Sequence, residues 1–328
     1  MRLMAIAIMT VGLCFAAGCG NPAEGGAADG RGGAIPEGAT KITPETDLHP
    51  PVVQSGEWND PVPIAGPVNT AGVEDAPVIS SDGTDLYFFF TPDASAPAGE
   101  QLTDGYTGVW RCQVSGESWT EPQRVKLSDG LSLDAPMALR MDTLWFASIR
   151  EGNYGEDGDI WKGWEEGEDW EWINAGELLN GEYDIGECCF ASTQYPGMEE
   201  GMICARSADF GEYGGYDLWR LERLESQWQP PENLGGVVNS STDDGWPAAH
   251  PECDELYITR MSSDLGYPGP SIYRSQLTTA GWSEPIEIVS SYVGDAAVDA
   301  AGNLYFTHHY VDSTASTIET DIYVCSPK

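Results

Sequence analysis

The chain has 328 residues and a formal net charge of −38, from 15 Lys and Arg against 53 Asp and Glu. This charge excludes a nucleic-acid binder held by phosphate contacts, and it argues against docking on anionic lipid through a polybasic patch. Hydrophobic residues make up 41% of the chain and 12 residues are Trp, which is ample material for a core. The 39 Gly and 22 Pro favour many turns and few long helices.

The first 19 residues predict an export signal. Arg2 supplies a positive charge, and the apolar run from Leu3 to Phe15 is too short for a membrane-spanning helix, which needs about 20 residues. The next four residues, Ala16-Ala17-Gly18-Cys19, resemble a bacterial lipobox, in which the peptidase cuts before the cysteine and the cysteine is diacylated. The resemblance implies a lipid on Cys19 and an anchor in the bacterial envelope, in the outer membrane, facing the periplasm or the cell surface.

Residues 20–55 are rich in Gly, Ala, Pro and Glu and contain almost no aromatic side chains. Such a segment buries too little apolar surface to offset its ordering entropy. We therefore expect a flexible tether. The alternative is that its last part, near Pro50 and Pro51, packs on the following domain.

From residue 56 to the end, four features recur in a fixed order. These are an acidic residue, an apolar run of the Leu-Tyr-Phe type, a triplet like Asp-Ile-Trp, and a Trp with Pro three residues later. The acidic residues are Asp75, Asp134, Glu187, Asp244 and Asp295, and the apolar runs begin at Leu86, Leu144, Met202, Leu256 and Leu304. Each copy has room for four short strands separated by turns. The repeat predicts an all-β fold, a five-bladed β-propeller of four-stranded antiparallel blades.

The ends of the repeat region predict how the ring closes. The fifth copy lacks its Trp-and-Pro segment, and an unpartnered copy of that segment lies before the first blade, from Trp58 to Pro61. We expect this N-terminal strand to complete the last blade and to leave no open sheet edge.

The repeat resembles the WD40-like β-propeller repeats of the TolB type. The resemblance rests on SSDGTDLYF (80–88), YGEDGDIW (154–161), YGGYDLW (213–219) and AGWSEP (280–285), and it covers about residues 56–328. It implies the propeller fold and leaves function open, since one fold hosts many activities. TolB has additional domain structure and six blades, so its partners are not carried over.

The acidic residues are the first candidate functional group. Because the first strand of each blade lines the central channel, one acid per blade predicts a ring of carboxylates. Crowded carboxylates raise each other's pKa or bind a cation. Three roles stay open: hydrogen bonds to backbone amides at blade corners, Ca²⁺ binding by Asp134, Asp244 and Asp295, and acid–base catalysis of the kind glycoside hydrolases use.

Cationic side chains after the second strand of each blade are the second candidate group. They are Arg150, Arg206, Arg260, His308 and His309, with Tyr154 in a nearby loop. They are suited to binding an anionic or sugar ligand, with Tyr154 stacking against it. The alternative is that the arginines pair with the acidic residues. His308 and His309 are adjacent strand residues, so we expect them to point to opposite faces.

Six cysteines follow residue 55, and export permits disulfides. We expect Cys188 or Cys189 to pair with Cys204, since they fall on neighbouring strands of the third blade. The alternative is a reduced, buried set.

No nucleophile elbow, phosphate loop, dinucleotide fingerprint or zinc-protease motif is present. The preferred hypothesis is a lipid-anchored, monomeric, non-catalytic module that binds an envelope glycan or protein. The alternative is a carbohydrate-active enzyme, a glycoside hydrolase or polysaccharide lyase, that uses the channel acids with Arg or His. No cofactor is expected beyond a structural Ca²⁺.

Overall fold

A computed structural model describes residues 30–155, 158–191, 200–207, 213–251 and 254–328. The predicted export signal and Cys19 lie outside the described residues. No helix among the described residues is long and apolar enough to cross a membrane.

The described chain is built almost entirely of strands. Before the first blade lie a 3₁₀ turn at Arg31–Ala34, β1 (Val52–Val53) and β2 (Val62–Pro63). Blade one has β3 (Val73–Ile79), β4 (Asp85–Thr91), helix α1 (Ala98–Gln101), β5 (Gly108–Ser115), β6 (Ser118–Trp119) and β7 (Gln123–Arg124). Blade two has β8 (Ser132–Arg140), β9 (Thr143–Arg150), β10 (Asp159–Glu166) and β11 (Asp169–Asn174), followed by a π turn at Leu178–Glu182.

The remaining three blades follow in chain order. Blade three has β12 (Cys188–Ala191), β13 (Glu200–Ser207), β14 (Tyr216–Leu224), β15 (Gln227–Trp228) and β16 (Glu232–Asn233). Blade four has β17 (Asp244–Ala249), β18 (Glu255–Arg260), β19 (Ser271–Thr278), β20 (Gly281–Trp282) and β21 (Ile286–Ser290). Blade five has β22 (Val293–Val298), β23 (Leu304–Val311) and β24 (Thr317–Cys325).

The five blades form a closed ring. Strands within each blade pair antiparallel, and the first strand of each blade, β3, β8, β12, β17 or β22, contacts the first strands of both neighbouring blades. The predicted five-bladed β-propeller is therefore confirmed. The apolar core lies between blades: Phe88 and Trp110 of blade one pack with Tyr305 and Ile322 of blade five.

The N-terminal strand closes the last blade, as predicted. Strand β2 pairs antiparallel with β24, with Val62 opposite Val324. Trp58 forms a β-bridge with Pro327, and its Nε1 donates a hydrogen bond to the carbonyl of Gly302 at 3.0 Å. Blade five thus takes its outermost strand from the other end of the domain.

Residues 30–55, here called the N-terminal strap, bind the propeller, and the prediction of a flexible tether does not hold over this range. Strand β1 pairs with β21 of blade four. Arg31 Nη1 lies 3.0 Å from Glu74 Oε1 of blade one, and Lys41 Nζ lies 2.6 Å from Asp321 Oδ2 of blade five. Ion pairs and backbone pairing order the strap. The prediction of a tether considered only the low content of apolar residues and therefore missed them.

Asparagine side chains complete the blades where a backbone partner is missing. Asn180 Oδ1 accepts the N–H of Ile160 at 2.8 Å, and its Nδ2 donates to the carbonyl of the same residue at 3.0 Å. The same pair of bonds joins Asn239 to Leu218 and Asn69 to Ile322. Each amide imitates a strand residue beside the Asp-Ile-Trp triplet.

Candidate functional site

Strand register divides the inner-strand acids into two classes. Glu74, Asp134 and Asp244 occupy equivalent positions, because each stands opposite the same position of the second strand: Phe90, Ser148 and Arg260. The counterpart of Asp75 is instead Gly245 in blade four and Gly294 in blade five. The predicted ring of five equivalent acids is therefore wrong.

The first class of acids is neutralised by arginine. Arg150 Nη2 lies 2.5 Å from Asp134 Oδ1, and Arg260 Nε lies 2.7 Å from Asp244 Oδ1, all four side chains being buried. Arg150 also lies 4.5 Å from the ring centroid of Trp161. These carboxylates are held inside the blades, which argues against the predicted Ca²⁺ and catalytic roles for Asp134 and Asp244. The arginine pairing considered as an alternative is what the structure shows for Arg150 and Arg260, in place of ligand binding.

Three further predicted ligand-binding residues do not line the central cavity. Arg206 is buried with its guanidinium 4.7 Å from the ring centroid of Trp219, in the manner of Arg150. His308 is buried with Nε2 2.9 Å from Asp47 Oδ2 of the strap. Tyr154 is 54% exposed in the loop after β9. These positions support structural roles for Arg206 and His308.

Bulges in the inner strands re-aim the side chains that face the channel. Ala76, Trp246 and Asp295 occupy equivalent positions and have φ angles of 49°, 44° and 51°, in the left-handed region. Each lies within the register shift of its strand pair. Backbone strain of this kind in a non-glycine residue persists only where the surroundings enforce it, and it concentrates at functional sites.

Threonines of neighbouring blades hold two of these bulges. The N–H of Ala76 donates to Thr307 Oγ1 at 3.2 Å, and the N–H of Asp295 donates to Thr259 Oγ1 at 3.0 Å. Both threonines directly follow an apolar run of the Leu-Tyr-Phe type. A threonine directly after the apolar run of one blade is therefore a sequence signal for the bulge in the next blade.

The bulged residues line a central cavity of the ring. Its walls combine an indole ring, prolines and a methionine with two carboxylates. The lining includes Pro77, Pro136, Met137, Glu187, Trp246, Pro247 and Asp295. All five blades contribute apolar groups or acids to the wall, so the cavity is amphipathic.

Two carboxylates and an imidazole form a cluster that shares Asp295 with this cavity. Side-chain ligand atoms of Asp75, Asp295 and His309 all lie within 4.8 Å of one another. Asp75 is 1% exposed; its Oδ1 accepts the N–H of Ala76 at 2.8 Å, and its Oδ2 has no hydrogen-bond partner among the described residues. His308 and His309 point to opposite faces, as predicted, one to the strap and one to this cluster.

Burial and like charge set the protonation of these acids. Burial, and then the nearby carboxylates of Asp75 and Glu187, raise the pKa of Asp295 well above its usual value. Burial also raises the pKa of Glu187. Burial lowers the pKa of His309, which Asp75 opposes. The cavity thus favours neutral forms of groups that titrate, a property of sites that move protons.

The described cysteines are buried, free thiols: Cys112, Cys188, Cys189, Cys204 and Cys325. Cys188 stands directly opposite Cys204 on adjacent antiparallel strands, so the placement on neighbouring strands is as predicted. The predicted disulfide of Cys188 or Cys189 with Cys204 is not formed in this structure, and the described cysteines match the reduced, buried set considered as the alternative.

Comparison with known proteins gives likeness only at the level of solved structures. No family model and no curated protein sequence matches the chain. A thermostable family-43 glycoside hydrolase is 12% identical and covers 80% of this chain and 91% of its own, with a TM-score of 0.48. An exo-1,5-α-L-arabinanase from a bovine ruminal metagenomic library is 13% identical, over 79% and 94% of the two chains, with a TM-score of 0.42. Likeness at this level carries no argument about activity.

Proposed function

We propose that the central cavity binds a glycan and cleaves its glycosidic bonds, using carboxylates from separate blades. The observation that carries the proposal is the arrangement of Glu187 and Asp295 on the same cavity as the Trp246 ring. Carboxylates accept hydrogen bonds from sugar hydroxyls, and the flat face of an indole packs against the C–H face of a sugar ring. With a lipid on Cys19 as predicted, the substrate would be a glycan outside the cytoplasm.

Within this proposal, the acids take complementary roles. Glycoside hydrolysis needs one protonated carboxyl to donate to the leaving oxygen and one carboxylate on the other side of the bond. Glu187 is the proton donor, since burial favours its protonated form. Asp295, which lines the same cavity, is the partner carboxylate. Because burial and the carboxylates of Asp75 and Glu187 raise its pKa, it takes this role where a positive charge beside it favours its ionised form.

The first test is product analysis. The protein would be incubated with a panel of plant and envelope oligosaccharides, and the products separated by anion-exchange chromatography and mass spectrometry. We expect shortened products from at least one glycan, and a rate about 10²–10⁴ times lower in Glu187→Gln, the usual contribution of a general acid. Trp246→Ala should weaken glycan binding, and Asp142→Asn, an exposed acid in the turn before β9, should change neither.

The outcomes separate the two candidate activities. Glycan binding without any shortened product would instead support the hypothesis of a non-catalytic binding module. Cleavage that survives unchanged in Glu187→Gln would exclude the assigned proton donor, and absence of both binding and cleavage would remove the glycan proposal.

A further inference from the structure

The inner-strand carboxylates of the described chain have two different electrostatic settings. Glu74, Asp134 and Asp244 each have an arginine nitrogen within 3.0 Å. Asp75 and Asp295 lie beside each other, and no Lys or Arg among the described residues lies within ion-pair distance of either. The only basic group in their cluster is the His309 imidazole.

One carboxylate oxygen of Asp75 lacks a hydrogen-bond partner among the described residues. Its side chain is 1% exposed, and one carboxylate oxygen, Oδ2, is buried without a hydrogen-bond partner. Leaving a buried polar oxygen unpartnered is unfavourable, and a second carboxylate close by adds repulsion. A bound cation would remove both costs at once.

We propose that Asp75, Asp295 and His309 bind one divalent transition-metal ion such as Zn²⁺ or Mn²⁺. Imidazole with carboxylate is a donor set that suits these ions, whereas Ca²⁺ takes six to eight oxygen ligands. A tetrahedral ion about 2.1 Å from each ligand atom places those atoms about 3.4 Å apart. All three atoms of the cluster lie within 4.8 Å of one another, so none of their separations exceeds this spacing by more than about 1.4 Å.

Three protein ligands leave at least one coordination position open, in the manner of catalytic metal sites. Because Asp295 also lines the central cavity, the open position would face the same space as Glu187. Water or a sugar hydroxyl would occupy it. The metal site stands whether or not the cavity cleaves glycans, and its test needs no activity.

The test is a metal titration of the full chain. After treatment with EDTA and desalting, the protein would be titrated with ZnCl₂ and with MnCl₂ by calorimetry, in millimolar CaCl₂ that occupies weak sites on the acidic surface. We expect one ion per chain with submicromolar affinity for at least one of the two metals. Co²⁺ would give a visible absorption band, and the metal should raise the melting temperature.

Variants connect this binding to the three residues. His309→Gln and Asp295→Asn should weaken metal affinity at least about tenfold and abolish the Co²⁺ band, the order of loss that even indirect ligand support produces. Asp295→Asn should also fold well without metal, since it removes repulsion from Asp75. His49→Gln and Asp142→Asn are the matched controls and should bind as the wild type does.

Three results would overturn the proposal. One is the absence of stoichiometric binding in the presence of Ca²⁺. Another is unchanged affinity in both His309→Gln and Asp295→Asn. The third is a Co²⁺ band that persists in His309→Gln, because an imidazole ligand would then be excluded.

Discussion

Arg31 Nη1 donates a hydrogen bond to Glu74 Oε1 across 3.0 Å, between two fully buried side chains that lie 43 residues apart. The guanidinium also lies 5.6 Å from the ring centroid of Trp110. In blades two and four, an arginine from the blade itself makes the equivalent contacts. Blade one has Phe90 at the position of Arg260 and Pro92 at the position of Arg150, so the strap supplies the missing cation.

This relationship predicts that Arg31 is essential for stability although it lies outside the repeats. Arg31→Ala leaves Glu74 buried without its charged partner, and removal of one partner of a buried pair costs about 3–5 kcal/mol. Urea unfolding followed by Trp fluorescence would measure this loss. Lys126→Ala removes an exposed pair with Asp129 and should have little effect. Equal stability of the two variants would contradict the assigned role of the strap.

Glu74 also predicts a specific pH dependence. Burial, opposed by Arg31, raises the pKa of Glu74 from 4.5 to about 7. The folded state therefore binds this proton more tightly than the unfolded chain does. The stabilisation from this group is fully present below about pH 4.5 and is lost as the pH rises through about 7.

The measurement is the difference in unfolding free energy between the wild type and Glu74→Gln across this range. Glutamine does not titrate, so the variant should gain stability relative to the wild type as the pH rises, by at most about 3 kcal/mol. Asp129→Asn, an exposed carboxyl, is the control. A difference that stays constant from pH 4.5 to 7 would show that Glu74 titrates alike in both states.

The fold was predictable because its signal repeats. Five copies of one hydrophobic pattern predict five blades, and the displaced Trp58 segment predicts the closure. The strap was not predictable from composition, since Lys41 and Asp321 are 280 residues apart and no local pattern connects them.

The candidate site was predicted only in part. The repeat pattern identifies Asp75, Glu187, Asp295 and His309 as candidates, but it groups Asp134 and Asp244 with them. The cause is a register offset: Asp75 aligns with Gly245, and Asp295 aligns with Ala76 and Trp246 on the bulge. A bulge adds a residue to one strand without changing the repeat's visible features. Thr259 and Thr307, which accept hydrogen bonds from the bulged residues, are the sequence signal that would have located the bulges.

Burial of the cysteines predicts slow thiol chemistry. Burial raises the pKa of Cys112, Cys189 and Cys325 to about 12, so the thiolate fraction at pH 8 is very small. We expect iodoacetamide to label these thiols more than about 100-fold slower in the folded protein than in guanidinium. Peptide mapping with and without prior reduction would measure each site. Cys188 and Cys204 labelled only after reduction would establish the disulfide, and labelling of both without reduction would exclude it.

The proton-donor role of Glu187 predicts both a pH profile and a leaving-group effect. A general acid must be protonated, so kcat should fall as the pH rises through the pKa of Glu187, which burial raises above 4.5. Glu187→Gln should lose this dependence. Its rate should fall strongly for an oligosaccharide but far less for a 4-nitrophenyl glycoside of the same sugar, because nitrophenolate leaves without protonation. KM should change little, since the carboxyl acts on the leaving oxygen. An equal loss for both substrates would instead assign Glu187 to substrate binding or to the carboxylate on the other side of the bond.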